Sequence, residues 1–170
     1  MAGSATLDCR PMHPVRLNPT PPRNLGFTLV EIMIVVVLIG LLASIAIPAF
    51  QRLQRASQNS RFISDLRTFA QAFEIQVAET GAWPANAGSG VVPAGMSGSF
   101  NTGNWQARTV LGGRWNWDRN MSGVAAGISV TSFTVPDSQL VDIDSQIDDG
   151  DLDTGQFRKV SFNRVTFTLE

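Results

Sequence analysis

From Phe27 to Phe50 the chain reads FTLVEIMIVVVLIGLLASIAIPAF, and Glu31 is the only ionisable side chain in it. About 20 apolar residues at 1.5 Å rise per residue cross roughly 30 Å of hydrocarbon, so residues 27–50 are predicted to form a membrane-spanning helix. Beyond Arg52 the pattern changes. Leu53, Phe62, Leu66, Phe69, Phe73 and Val77 recur at helical spacing, with Arg61, Asp65, Arg67, Gln71 and Glu74 on other faces. That period predicts an amphipathic continuation over 51–81, in which the apolar stripe packs on the rest of the protein. Thr80-Gly81, with Pro84 shortly after, supplies the stop. Pro48 removes a hydrogen bond in mid-helix and predicts a kink or local melting, with Gly40 a second weak point.

The remaining residues, 82–170, carry shorter signals. Residues 81–113 are dense in Gly, Pro, Ser and Asn and read as loop, with Trp83 and Trp105 as pins. Arg114–Asp118 alternates with both tryptophans on one side, Gly127–Val135 is rich in β-branched residues, and Arg164–Leu169 alternates again, so three strands are predicted. Asp137 or Ser138 is placed to cap a short helix whose Leu140, Ile143 and Ile147 share a face and which ends at Gly150. Phe157 and Phe162 are expected in the core. The fold class is α+β: a long N-terminal helix packed on a small antiparallel sheet, which buries the apolar faces of both.

Composition narrows the function. At 170 residues there is room for one modest domain. Residues 1–25 are rich in proline and small polar residues without apolar periodicity, and are expected to be an unstructured address, with Met12 an alternative start. That segment carries Arg10, His13, Arg16 and Arg23 against Asp8 alone, which puts the front end in the cytoplasm; Arg52 and Arg55 weaken the contrast. The remainder is mildly acidic and lacks the basic stripe that phosphate backbones require, so nucleic acid is not an expected partner. Cys9, the single cysteine, precedes the apolar run, which excludes a lipoprotein cleavage order and leaves the rest without an internal disulfide. No nucleophile motif or Gly-rich phosphate loop is present, and the one histidine is His13, so no enzyme is expected.

The apolar run alone also fits an ordinary membrane anchor. Glu31 argues for more, because a carboxylate inside an apolar span costs roughly 2.5 to 3.5 kcal/mol and usually marks function. Gly26-Phe27-Thr28-Leu29-Val30-Glu31 followed by that run closely resembles the type IV prepilin signature. The resemblance implies cleavage of a 1–26 leader between Gly26 and Phe27 by a membrane prepilin peptidase, and N-methylation of Phe27. It also implies that Glu31 pairs with the Phe27 amine of a neighbouring subunit in a filament, whereas pairing with its own amine is the simpler alternative. Gly40, Ala43, Ser44 and Ala46 offer close-approach surface for helix packing. Implied partners are further copies of the chain, other pilins or pseudopilins, the peptidase and an inner-membrane assembly platform, with a single-pass topology and a periplasmic head. Heads free of cysteine are similar to those of type II secretion pseudopilins, and Glu31 argues against a tip pseudopilin, so a pseudopilus subunit is the first expectation. A type IV pilus subunit and a simple membrane-anchored binding domain are the alternatives.

Two further features invite chemistry. Asp148, Asp149, Asp151 and Asp153 around Gly150 supply hard oxygen ligands at short spacing, as calcium loops do, although no closing glutamate completes an EF-hand. Some major pseudopilins hold calcium in a C-terminal loop, so the resemblance makes calcium the expected cofactor, if any; the alternative is a solvated acidic turn. Trp83, Trp105, Trp115 and Trp117 suit either a core or a glycan-stacking face, and the second needs at least two of them exposed together.

Overall fold

A computed structural model describes residues 26–170, apart from position 122. The expectations for residues 1–25, the leader and Cys9 among them, lie outside the described residues. The chain divides into two units, residues 1–42 and 43–170.

One helix, α1 (Leu29–Thr80), runs through both units and stays helical across Gly40 and Pro48, so the expected local melting is not found. It stops where the chain turns left-handed at Gly81 (φ 74°), a conformation glycine adopts without steric cost. In the first unit every described large apolar side chain is exposed. In the second, burial along α1 begins at Asn59 and continues through Phe62, Ile63, Leu66, Phe69, Ala70, Ala72 and Phe73. The buried stripe is therefore shorter than the periodicity predicts, because Leu53 is 71% exposed and lies before the head begins to cover the helix.

Four antiparallel strands follow in the spatial order β1-β2-β4-β3: β1 (Arg114–Met121), β2 (Val124–Thr131), β3 (Phe157–Ser161) and β4 (Arg164–Thr168). Trp115 lies opposite Val130 and Trp117 opposite Ile128; on the next strand Val165 and Phe167 continue that face. These side chains meet the phenylalanines of α1. Phe62 stacks on Trp115 with centroids 5.0 Å apart, Phe69 meets Trp105 edge-on at 5.0 Å, and Phe73 stacks on Trp117 at 3.9 Å. Aromatic pairs in such geometry add about 0.5–1.5 kcal/mol each beyond their burial.

The segment between α1 and β1 contains a helix the sequence reading missed, α2 (Thr102–Gln106), capped by the Asn101 side chain, which accepts from the Gly103 and Asn104 N–H groups. Trp105 on α2 is fully buried and donates to the Val91 carbonyl at 2.9 Å; Trp117 donates to Pro84 at 3.1 Å. The Trp117 N–H thus ties this glycine-rich connection to the sheet, and the Trp105 N–H holds the connection to itself.

A third helix, α3 (Asp137–Ile147), lays Leu140 and Ile143 into the core, and Gln139 donates to Asn59 of α1 at 2.9 Å. Its N-cap is Pro136 with no capping side chain; Asp137 instead pairs with Lys159 at 2.7 Å. Strand β2 starts earlier than expected and ends at Thr131, because Ser132 adopts φ 59° and breaks the strand before Val135. Phe162 is 90% exposed and not in the core: it sits in the two-residue connection of the β3–β4 hairpin, where no neighbouring strand can cover it.

Candidate functional site

Gly26, Phe27 and Thr28 precede α1 outside regular structure. The Thr28 hydroxyl accepts the Glu31 N–H at 3.2 Å and the Thr28 carbonyl accepts the Ile32 N–H at 3.3 Å, so Thr28 caps the helix. Thr28 and Glu31 stand at capping-box spacing, a signal readable from sequence that the reading above did not use. Glu31 lies in the first turn, where the positive end of the helix dipole favours its charge. Phe27 is 77% exposed and Glu31 is exposed. A Cβ added at Gly26 meets nothing within 4 Å, so the described chain itself places no demand for glycine there. Any such demand comes from what the segment binds.

Every large apolar side chain from Phe27 to Phe50 is exposed. Soluble monomers seldom expose apolar patches beyond a few hundred Å². An 18-residue window of α1 is apolar enough and long enough to cross a membrane, and none of that window is buried. The helix therefore fits membrane anchoring.

The glycan-stacking arrangement is overturned. Trp105, Trp115 and Trp117 are at most 2% exposed, and Trp83 is half-buried with its indole N–H donating to Glu170.

The acidic stretch gathers differently from its sequence spacing. Carboxylate oxygens of Asp144, Asp148 and Asp149 lie within 4.8 Å of one another, whereas Asp151 and Asp153 fall outside this group. Asp151 instead accepts the Asp153 N–H at 3.1 Å. Asp148 accepts the Gln156 and Phe157 N–H groups, and Gly155 (φ 71°) passes so close to Asp148 that a Cβ there would collide with it. Asp149 accepts from the Asp151 N–H at 2.9 Å and from Thr154 at 2.8 Å; these bonds hold its carboxyl below the usual range. Asp144 is fully buried, and its carboxylate oxygens make no hydrogen bond of good geometry, although the Gly150 N–H lies near enough to favour its charge. Burial, followed by the charges of Asp149 and Asp148, pushes it up to about 6 from 3.8. The sequence reading missed Asp144 because it took that position only as part of the helix.

A raised folded-state value means that the folded protein binds a proton more tightly than the unfolded chain, so ionising Asp144 costs stability. With divalent cations chelated, the wild type is expected to lose stability relative to Asp144→Asn as pH rises from about 4 to 6. The difference should then level off at about 2 to 3 kcal/mol. Urea midpoints of both proteins at each pH check this; curves that stay parallel across the window would refute it.

Comparison with known proteins bears on α1. The family described as the prokaryotic N-terminal methylation motif matches residues 21–47. The type IV major pilin protein PilA of Myxococcus xanthus is 47% identical over 58 residues, 34% of this chain and 26% of that protein. Fimbrial protein EcpC of Eikenella corrodens is 36% identical over 75 residues, 44% of this chain and 49% of that protein. The type IV major fimbrial protein FimA of Dichelobacter nodosus is 50% identical over 52 residues, 31% and 33% respectively. The matched region thus spans between about a quarter and half the length of these relatives. No solved structure matches.

Proposed function

This chain belongs to the type IV prepilin family by its N-terminal segment, and from that premise we propose that it is a structural subunit of a type IV pilus, polymerised through α1. The observation that carries the reading is a helix whose apolar side chains from Phe27 to Phe50 are all exposed, with one carboxylate, Glu31, in its first turn. An apolar surface of that kind serves as a bilayer anchor before assembly and as a helix-packing surface afterwards. The matching relatives are pilin and fimbrial proteins, which favours the pilus over the secretion pseudopilus expected from the cysteine-free head.

In this reading residues 1–26 are a cytoplasmic leader, prepilin peptidase cuts between Gly26 and Phe27, and Phe27 is N-methylated. Glu31 neutralises the Phe27 amine of a neighbouring subunit, which offsets the cost of holding either charge in an apolar filament core. The chain spans the inner membrane once with its head in the periplasm, and its partners are further pilins and the assembly platform.

Intact mass of the protein purified from membranes of a host with its own prepilin peptidase tests the reading. Loss of residues 1–26 with gain of one methyl group is expected for the wild type and for Glu31→Ala, and an uncut chain for Gly26→Val. A Cβ at Gly26 meets nothing in the fold, so a processing defect in that variant reports on the peptidase. Glu31→Ala should be cut yet absent from sheared filaments. An uncut wild type would return the protein to the class of membrane-anchored domains.

A further inference from the structure

We infer that the end of the head at which α1 enters is a second membrane contact: Phe162 at the β3–β4 hairpin tip dips into the interface, and Arg108 and Arg114 beside it bind anionic lipid headgroups. The inference rests on the reading above that α1 spans a membrane with the head outside it.

The strands give the direction. Phe62 stacks on Trp115 and Phe73 on Trp117, so β1 runs the same way as α1. Strand β4 shares that sense, since both it and β1 pair antiparallel with β2, and β3 runs back against it. Strand β3 starts at Phe157, which meets Phe62 with ring centroids 6.2 Å apart. At about 3.3 Å per residue the chain then travels at most about 16 Å toward the start of α1 by Phe162. Over the same direction α1 covers about 15 Å between Phe62 and Arg52. The hairpin tip therefore reaches the level of Arg52, just past Phe50, where the apolar run ends.

Phe162 is 90% exposed at that level, and Phe50 and Leu53 on α1 are exposed beside it in sequence depth. A large apolar side chain held in water at a hairpin tip gains by entering the apolar side of an interface. Its surroundings are cationic. The Asn163 carbonyl accepts the Ser132 N–H at 2.8 Å, which ties the tip to a depression of about 250 Å³ whose polar lining is Ser89, Arg108, Arg114, Thr131 and Ser132. Arg108 pairs across from Arg114, and like charges directly opposite one another cost stability unless an anion sits between them. Among the described residues the ion pairs lie at Asp137 and Asp118, so neither arginine has a carboxylate of its own. Arg52 and Arg55, by contrast, share a groove with Asp142. The acidic loop is at the other end of β3, where Asp148 accepts the Phe157 N–H. An exposed aromatic among uncompensated cations, level with the end of an apolar span, suits a segment seated on an anionic bilayer surface.

In the full Cys9→Ser chain, Phe162→Cys supplies the single thiol, which is nitroxide-labelled and reconstituted at low density into vesicles of phosphatidylcholine alone or mixed with phosphatidylglycerol. Ile39→Cys in the apolar run and Glu79→Cys near the end of α1 serve as references, and all three positions are exposed, so labelling leaves the core intact. In the anionic vesicles oxygen, which partitions into lipid, is expected to relax the Phe162→Cys label more than a water-soluble nickel complex does, with the reverse at Glu79→Cys. Adding Arg108→Gln and Arg114→Gln should move the lipid-to-water ratio of that label about 25-fold toward water, roughly fivefold per arginine. Water exposure at Phe162→Cys with lipid exposure at Ile39→Cys overturns this inference alone; water exposure at both sinks it together with the membrane reading. Lipid contact indifferent to phosphatidylglycerol and to the arginines would also overturn it, and so would shielding that appears only at high protein density, which gives the patch to a second copy of the chain.

Discussion

Trp117→Ala is expected to destabilise the head by about 3 to 5 kcal/mol, the range for removing a large aromatic from a packed core. Trp117 is fully buried, stacks on Phe73 of α1 with centroids 3.9 Å apart, and meets Trp83 at 5.6 Å. Its removal opens a cavity on the line where helix and sheet meet, and strands the Pro84 carbonyl that its indole N–H satisfies. Domains of this size are stable by roughly 5–15 kcal/mol, so much of the margin goes with one side chain. Urea denaturation followed by far-ultraviolet circular dichroism checks it. Trp83→Ala, at a half-buried position, should cost clearly less. Equal losses at the two sites would show that α1 and the sheet are not held by this stack.

Much of that interface was legible from residue spacing. Phe62, Phe69 and Phe73 repeat on one helical face, and Trp115 and Trp117 alternate on a strand, so two periodicities alone specify that the faces meet. What failed was local. Phe162 looked like core because it is large and apolar, but a two-residue hairpin connection exposes whatever occupies it. Strand β3 (FRKVS) was missed because Arg158 and Lys159 break its apolar alternation. Pairing with β4 determines that strand, and pairing partners are not written within the segment itself.

The two candidate features differ in how far sequence alone can reach them. At Glu31 a lone acid in an apolar run is visible without coordinates, and the processing roles of Gly26 and Phe27 stay a proposal. The acidic loop is not legible in this way. Sequence spacing grouped Asp148, Asp149, Asp151 and Asp153, whereas α3 returns Asp144 one turn above Asp148 and the loop turns Asp151 to cap its own backbone. Burial of Asp144 depends on the packing of Leu140 and Ile143 beside it, a tertiary fact that linear spacing does not encode.

The sheet face turned away from the helix presents the opposite problem, and it sets the second large effect. Asn116, Asp118, Ser129 and Thr166 lie there, each at most 4% exposed. Asp118 accepts from Asn116 at 2.7 Å, from Arg164 at 3.1 Å and from the Ser129 hydroxyl, which also contacts Thr166 at 2.7 Å. Asp118→Ala therefore leaves the largely covered Arg164 guanidinium without its counter-ion, strands the Asn116 amide on β1 and takes from Ser129 on β2 one of its two hydroxyl partners. Breaking one partner of a buried pair typically costs 3–5 kcal/mol. Arg164 keeps 22% of its side chain exposed and can turn toward water, which places the expected loss near the lower end, about 3 kcal/mol. The double variant Asp118→Ala/Arg164→Met removes both charges and should recover part of that loss, because the penalty lies in the orphaned charge more than in the lost attraction. Urea midpoints for the two single variants and the double give the coupling directly. If Asp118→Ala stays within about 1 kcal/mol of the wild type, water reaches this face and the network is a surface feature.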